Sequence, residues 1–252
     1  MRRRIFYAAV SVIIVLVLQA GRVLAGEVTA DVNADVSVLS NYIWRGQNLG
    51  EDGVIQPNLS IGFANGLSLG VWANYLIDDG RYSDNNMVSE VDYTVDYSFE
   101  LGPVGMSAGW IFYDFPRTGG SNTHELYLGA SLDIILAPSL KVYRDINDID
   151  GTYVNVGIGH DFEINDKATL SLSGTLGWGS ESYHSGYFGV KDDSLSDYNL
   201  GASLAYAVTD KFTITPMLNF SAFVDDDIED AAEILYDENQ VIYGGINVSY
   251  SF

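Results

Sequence analysis

The 252-residue sequence contains no cysteine and only five prolines. Without cysteine the chain can form no disulfide, no zinc–thiolate site and no catalytic thiol, and it can carry no lipid on an amino-terminal cysteine. Proline cannot donate to the hydrogen-bonded ladder of a sheet, so its scarcity is compatible with many uninterrupted strands. The 17 tyrosines and 26 glycines are typical of an aromatic-rich, turn-rich all-β chain.

Positive charge is also scarce. Twelve Lys and Arg stand against 34 Asp and Glu, which gives a formal net charge of −22 at pH 7. A chain this acidic cannot bind nucleic acid through the phosphates, so no nucleic-acid partner is expected. The same charge attracts cations.

Only one long apolar run is present, Ile5–Leu18, between Arg2–Arg4 and the small-residue segment that ends at Ala25. This order predicts a cleaved secretory signal peptide over residues 1–25 and one domain over residues 26–252. The alternative is a membrane anchor, but the run is shorter than the roughly 18 residues that a spanning helix needs. If the remaining chain crosses a membrane, it must therefore do so with strands.

Apolar and polar residues alternate with a period of two through most of the chain, which is typical of half-buried strands. The last segment, Gln240–Phe252, has one apolar face and one face that turns polar at Asn247. Twelve such segments are predicted: Thr29–Trp44, Ile55–Phe63, Leu67–Ile77, Val88–Leu101, Val104–Phe115, Thr123–Ile134, Leu140–Asp145, Gly151–Ile164, Ala168–Ser180, Ser196–Val208, Phe212–Val224 and Gln240–Phe252.

The connections alternate between short and long. Short turns are predicted near residues 65, 102, 137, 165 and 210, and longer loops at 45–54, 78–87, 116–122, 146–150, 181–195 and 225–238. Outer-membrane barrels have short periplasmic turns and longer extracellular loops, whereas a soluble sandwich has no reason for this asymmetry. We therefore predict a transmembrane up-and-down antiparallel β-barrel of about twelve strands in the outer membrane of a Gram-negative bacterium, with both termini periplasmic. The boundaries are least defined over residues 136–150.

Aromatic residues of the apolar faces fall near the segment ends, which predicts two belts at the membrane interfaces. The belt near the long loops is predicted to include Tyr42 and Trp44. Carboxylates take the opposite face, since charge facing lipid is unfavourable, and are placed in the lumen: Asp31, Asp35, Glu90, Asp92, Asp96, Glu100, Glu125, Asp133, Asp161 and Glu163.

The segment Ser40–Gly46 reads Ser-Asn-Tyr-Ile-Trp-Arg-Gly. It resembles the S-x-Y-x-(F/W)-R-G signature near the start of the TorF- or Gcw-type family of bacterial outer-membrane porins, and Gly70–Trp72 resembles a second shared feature. The resemblance implies an outer-membrane barrel without a defined substrate, and it brings no catalytic residues.

An acidic lumen concentrates cations, so the predicted function is a narrow, cation-preferring pore for ions and small solutes. The predicted pore-lining residues are Arg45, Glu90, Asp92, Asp96, Glu125 and Asp161. Three alternatives remain open: a barrel plugged by its own carboxylate–Arg–Tyr network, an adhesin or receptor acting through acidic loops, and a pairing of Arg45 with a carboxylate on a neighbouring strand. None of the six loops shows a sequence signal for folding into the barrel.

The loop 225–238 is rich in carboxylates and could loosely bind Ca²⁺ or Mg²⁺, although a solvated acidic loop is the simpler interpretation. No other cofactor or metal is predicted. The three histidines are His124, His160 and His184, no G-x-S-x-G motif is present, and an enzyme is not expected. The expected partners are outer-membrane lipid and lipopolysaccharide, small solutes or cations, and the barrel-assembly machinery through the strand that ends in Phe252. The oligomeric state is left open.

Overall fold

The computed structural model describes residues 30–77 and 86–252. The predicted signal peptide, residues 1–25, and most of the predicted loop 78–87 lie outside the described residues. The strands are β1 Ala30–Leu39, β2 Tyr42–Trp44, β3 Gln47–Gly50, β4 Val54–Phe63, β5 Leu67–Leu76, β6 Met87–Leu101, β7 Val104–Asp114, β8 Thr123–Leu132, β9 Ser139–Asp145, β10 Thr152–Asn165, β11 Ala168–Gly179, β12 Ser194–Thr209, β13 Phe212–Phe223 and β14 Gln240–Ser251. The described residues also contain two helices, α1 Glu181–Tyr187 and α2 Asp226–Tyr236.

Twelve of these strands form a closed antiparallel barrel, which confirms the predicted fold class. Consecutive barrel strands are neighbours, and the barrel closes where β1 pairs with β14 on one side and β4 on the other. At this seam Ala34 lies opposite Tyr250 and Val36 opposite Val248. Closure leaves no sheet edge unpaired, which is the condition for strands in a lipid environment.

The connections divide the barrel into a short-turn end and a long-loop end, as predicted. Tight turns join β4 to β5, β6 to β7, β10 to β11 and β12 to β13. Asn65 and Gly66 form the first of them; Asn65 Oδ1 accepts the backbone N–H of Leu67, and Gly66 adopts φ +90°. Both ends of the barrel chain, at Ala30 and Ser251, lie at the short-turn end.

The outer surface is an exposed apolar band. Val38, Leu128, Ile158, Leu200 and Ile246 each have about half of their surface accessible. An exposed apolar surface of this extent indicates contact with lipid or a partner rather than water. The aromatic residues Phe99, Phe162, Tyr206 and Tyr250 are exposed near the short turns, where one belt is predicted. Among the described residues, neither helix has the length and apolar character needed to cross a membrane.

The first predicted strand, Thr29–Trp44, is wrong beyond Leu39. β1 ends at Leu39, and the chain leaves the barrel wall after Ser40. It returns to the wall at Gly53, whose backbone N–H donates to Ser40 O just before β4 begins. Residues 42–50 form a separate hairpin, β2–β3, which is the inward-folded loop that the sequence did not signal. Its two-residue turn is Arg45–Gly46, with φ +49° and +82°; positive φ at both positions is typical of a type I′ turn. A Cβ on Gly46 would lie 2.6 Å from Phe223 Cε1, so the turn also needs glycine for space.

The predictions for Tyr42 and Trp44 are wrong as well. Tyr42 is buried and Trp44 half-buried, both inside the barrel rather than in the outer belt. The Tyr42 ring lies 5.3 Å from the Trp72 ring, and the Trp44 ring lies 5.2 Å from the Tyr187 ring, between centroids. A hairpin packed against the inner wall buries alternate aromatic residues, so its sequence has the same period as a strand facing lipid.

The loops 181–195 and 225–238 contain helices. Asp225 caps α2, because its Oδ1 accepts the backbone N–H groups of Asp227 and Ile228. Carboxylates in the first turn favour the helix through its dipole. Ile228 and Ala232 are fully buried on the opposite face. The acidic loop 225–238 is therefore not simply a solvated loop, because Ile228 and Ala232 of its helix belong to the interior.

Candidate functional site

The lumen at the short-turn end is open to solvent. Its inward-facing positions carry small or charged residues, and those nearest the turns are exposed: Asp31, Asn33, Ser98, Glu100, Asp161 and Glu163. Asp35, deeper along the seam, accepts hydrogen bonds from Asn58 Nδ2 and Asn247 Nδ2, both at 2.9 Å. A molecule in solution can therefore enter the lumen from this end.

The long-loop end is filled by the hairpin β2–β3 and the helices α1 and α2, which we call the plug. One buried cluster joins both helices to the wall and contains Tyr153, Tyr183, Phe188, Phe223, Ile228 and Ala232. A second joins the hairpin to the opposite wall and contains Tyr42, Val54, Leu76 and Met87. The Tyr236 hydroxyl of α2 donates to Gln47 Oε1 at 2.6 Å, so the helix also holds the hairpin.

A cavity of about 430 Å³ lies directly beneath the plug. Its lining includes three charged residues, Arg45, Asp92 and Asp197, and four tyrosines, Tyr113, Tyr143, Tyr153 and Tyr243. Asn155, Thr175, Asn199 and Ser221 add amide and hydroxyl groups. The Ser221 hydroxyl is buried and makes no hydrogen bond within the described residues. The cavity therefore offers carboxylates, aromatic faces and an unpaired hydroxyl to a small hydrophilic molecule.

Arg45 lies at the centre of this region. Its Nη1 and Nη2 donate to Glu125 Oε1 and Oε2 at 2.8 and 2.7 Å, a bidentate pair between side chains that are 8% and 3% exposed. The Tyr113 hydroxyl donates to Glu125 Oε2 at 2.8 Å. The guanidinium carbon lies 4.4 Å from the Trp44 ring, 4.5 Å from Tyr143 and 4.3 Å from Tyr153, within the range of cation–π attraction.

Each predicted pore-lining residue can be located. Arg45 points into the lumen, but its partner Glu125 is on β8 rather than on a neighbouring strand. Glu90 is buried on β6, and Asp92 lines the cavity. Asp96 accepts the Tyr127 hydroxyl lower in the lumen.

The structure does not bring Asp161 together with the others, because it is exposed near the β10–β11 turn. Asp133, also placed in the lumen by the sequence pattern, lies in the exposed β8–β9 turn.

Sequence reasoning missed Asp197 and the tyrosines Tyr113, Tyr143 and Tyr153. Asp197 is 3% exposed and accepts the Tyr153 hydroxyl at 2.9 Å. All four have the parity of the inner face, and this parity was the signal that could have identified them. For the tyrosines this parity competes with the usual placement of aromatic residues in the belts on the outer face.

The lumen is acidic at the level of the plug. Glu90, Asp92, Glu125 and Asp197 lie there, and the opposing charge is Arg45. Lys141 is lower, with its Nζ 4.5 Å from the Tyr127 ring. Carboxyl side chains therefore outnumber basic side chains at this level of the described lumen.

His184 is fully buried in α1. Its Nδ1 lies 2.7 Å from Asp192 O, so this nitrogen carries the proton, and Nε2 has no hydrogen-bond partner among the described residues. Burial lowers the pKa of His184, and this effect outweighs the nearby carboxylates Asp192, Asp193 and Asp225. His124 stacks on Trp110 and Phe112 of the outer face.

The depressed pKa of His184 predicts an acid-sensitive α1. The folded state favours the neutral imidazole of His184. The contribution of this group to the free energy of unfolding is therefore complete above its unfolded-state pKa of about 6.5. That contribution is lost as the pH falls through the lower pKa of the folded state. The protection factors of the amides in residues 181–187, which are corrected for the intrinsic slowing of exchange in acid, should therefore fall on acidification below about pH 6.5. In the His184→Asn variant this pH-dependent change in exchange should disappear. If the change were the same as in the wild type, another titrating group would cause it.

Within residues 30–77 and 86–252, no group of three His, Asp or Glu side chains is placed to hold a metal ion. Loosely bound Ca²⁺ or Mg²⁺ at residues 225–238 stays a prediction.

A closed twelve-stranded barrel with a polar lumen, an apolar exterior and short turns at one end defines the class of porin-like outer-membrane barrels. Solved structures share this fold. The COG4313 outer membrane channel from Pseudomonas putida F1 is 14% identical, with a TM-score of 0.55 over 90% of this chain and 97% of that chain. The KdgM porin in complex with disordered oligogalacturonate is 13% identical, with a TM-score of 0.54 over 88% and 99% of the two chains. The NanC porin is 14% identical, with a TM-score of 0.51 over 89% and 100%.

Residues 28–252 match the family described as MltA-interacting protein MipA, and the chain belongs to that family. The TorF- or Gcw-type naming suggested by residues 40–46 is not confirmed. No curated protein sequence matches the chain.

Proposed function

We propose that the protein is a porin-like barrel of the outer membrane whose acidic lumen prefers cations and whose plug holds it in a weakly conducting state. The observation that carries this proposal is the excess of carboxyl over basic side chains beneath the plug, where Asp92 and Asp197 line a 430 Å³ cavity. We further propose that the short-turn end, with both termini, faces the periplasm, because outer-membrane barrels place their short turns there. β14, which leads to Phe252, would be the segment that the barrel-assembly machinery recognises.

Reversal potentials in planar bilayers with asymmetric KCl test the selectivity. The wild-type protein should give small currents whose reversal potential lies towards the Nernst potential of K⁺. The double variant Asp92→Asn/Asp197→Asn should shift this reversal potential towards zero. Asp161→Asn is the matched control, because it removes one carboxylate at the exposed mouth, outside the cavity. An anion-selective wild type, or equal shifts in both variants, would contradict the acidic-lumen proposal. A complete absence of current in the wild type and in plug-destabilised variants would reject conduction.

A second function is a non-conducting barrel that binds a protein partner. The plug favours it, since two buried clusters fill the long-loop end. The family description names an interaction with MltA, and we propose MltA as the first partner to test. Co-purification of MltA with the detergent-solubilised barrel, together with absent current in every plug variant, would support this function over the channel. No retention of MltA would count against it.

A further inference from the structure

Four residues of the barrel wall surround the Arg45 guanidinium: Glu125 on β8, Tyr113 on β7, Tyr143 on β9 and Tyr153 on β10. We call them the wall site. Arg45 itself arrives from β2–β3, a two-stranded sheet that is separate from the barrel sheet. The wall site is therefore formed by four consecutive strands, and its occupant is carried by a different segment.

The geometry points to the wall site as a binding site for a guanidinium-bearing solute that enters the lumen, with Arg45 as a tethered occupant. Displacement of Arg45 by such a solute releases the hairpin β2–β3 from the wall. The inference does not depend on conduction, because it concerns binding and the position of the hairpin.

The chemistry of the wall site matches guanidinium. A carboxylate that accepts two parallel N–H groups fits the planar fork of guanidinium better than a compact ammonium. The Tyr113 hydroxyl holds Glu125 in position through a bond to Oε2 that does not involve Arg45. The rings of Tyr143 and Tyr153 present faces 4.5 and 4.3 Å from the guanidinium carbon. These wall residues keep the arrangement when the hairpin leaves.

Access and electrostatics support the same conclusion. Arg45, Tyr113, Tyr143 and Tyr153 all line the 430 Å³ cavity, so the site has free volume beside it. The lumen below this cavity is exposed to solvent at the short-turn end, which provides a route of entry. The Glu125 side chain is 3% exposed, and removing the partner of a buried ion pair leaves an uncompensated buried charge. When Arg45 leaves, a guanidinium-bearing solute in its place restores the lost pairing.

The test uses ethylguanidinium as the probe and isothermal titration calorimetry of the full barrel in detergent. The Arg45→Ala variant has a vacant wall site and should bind one equivalent of ethylguanidinium per barrel. The wild type should bind roughly tenfold more weakly or worse, because its tethered arginine competes at an effective concentration in the millimolar range. Ethylammonium, with the same charge and no fork, should bind Arg45→Ala more weakly than ethylguanidinium. The double variant Arg45→Ala/Glu125→Gln should lose the binding. Equal affinity of wild type and Arg45→Ala, or retained binding in the double variant, would overturn the inference.

A measurement on the wild type keeps the test valid if Arg45→Ala does not fold. The effective concentration of the tethered Arg45 side chain is in the millimolar range. Ethylguanidinium at comparable concentrations should accelerate hydrogen exchange of residues 42–50, and ethylammonium at the same ionic strength should not. Equal exchange rates with the two probes would overturn the inference. An effect of ethylguanidinium that is the same in Glu125→Gln as in the wild type would also overturn it, since the solute would then act elsewhere.

Discussion

Replacing Arg45 with alanine is expected to release the hairpin β2–β3 from the barrel wall. The substitution leaves Glu125 buried without its cation, and breaking a buried ion pair in this way costs about 3–5 kcal/mol. Since each 1.4 kcal/mol is about a tenfold change in an equilibrium constant, residues 42–50 should exchange their amide hydrogens on the order of a hundred to several thousand times faster. Hydrogen exchange with mass spectrometry, on barrels in detergent, measures this directly.

Arg144→Ala is the matched control for this experiment. Arg144 pairs with Asp150 at the barrel exterior, where the two side chains are 44% and 77% exposed. Exposed pairs contribute about 0–1 kcal/mol, so exchange of residues 42–50 should remain close to that of the wild type. If Arg45→Ala and Arg144→Ala gave similar exchange rates, the pair between Arg45 and Glu125 would not hold the hairpin in place.

Replacing Ile228 with aspartate is expected to detach α2 from the lumen. Ile228 is fully buried in the cluster with Tyr183, Phe188 and Phe223. The substitution removes apolar burial of about 1.5–3 kcal/mol and introduces a carboxylate without a cation among the buried residues of that cluster, which is more unfavourable still. Limited proteolysis within residues 226–236 should become rapid, whereas the strand content by circular dichroism should not change.

The same helix provides the control. Ile234→Asp is the same substitution six residues along α2, at a side chain that is 83% exposed. It should leave the proteolysis rate unchanged, because no packed surface is lost. Rapid cleavage of both variants would mean that the sensitivity arises from added charge on α2 rather than from its packing in the lumen.

The barrel could be predicted from the sequence because its determinants are local. Alternation along each strand fixes which side chains face outward, and the lengths of the connections fix which end is which. The strand Ala168–Gly179 is an example: its apolar residues Leu170, Leu172 and Leu176 alternate with hydroxyl and glycine positions, and it ends within one residue of the predicted boundary.

The plug was not predicted because its determinants are tertiary. Arg45 and Glu125 are 80 residues apart, and only the closed barrel brings β8 across from the hairpin. Tyr42 and Trp44 continue the alternation of β1, so the pattern alone cannot distinguish an inner hairpin from an outer strand. For α2 a signal existed: Ile228, Ala231, Ala232 and Leu235 have helical spacing after the cap Asp225. The carboxylates between these positions give the segment the composition of a solvated loop.

The seam joins β1 to β14, two strands from opposite ends of the described chain. Phe252 extends this pairing by donating its backbone N–H to Val32 O at 3.0 Å. The hairpin at residues 42–50 directly follows β1, one of the two strands that must meet. The wall strands that receive Arg45 fold from chain synthesised later. We therefore expect closure of the barrel and filling of its interior to be coupled, so that deletion of β14 would abolish both together.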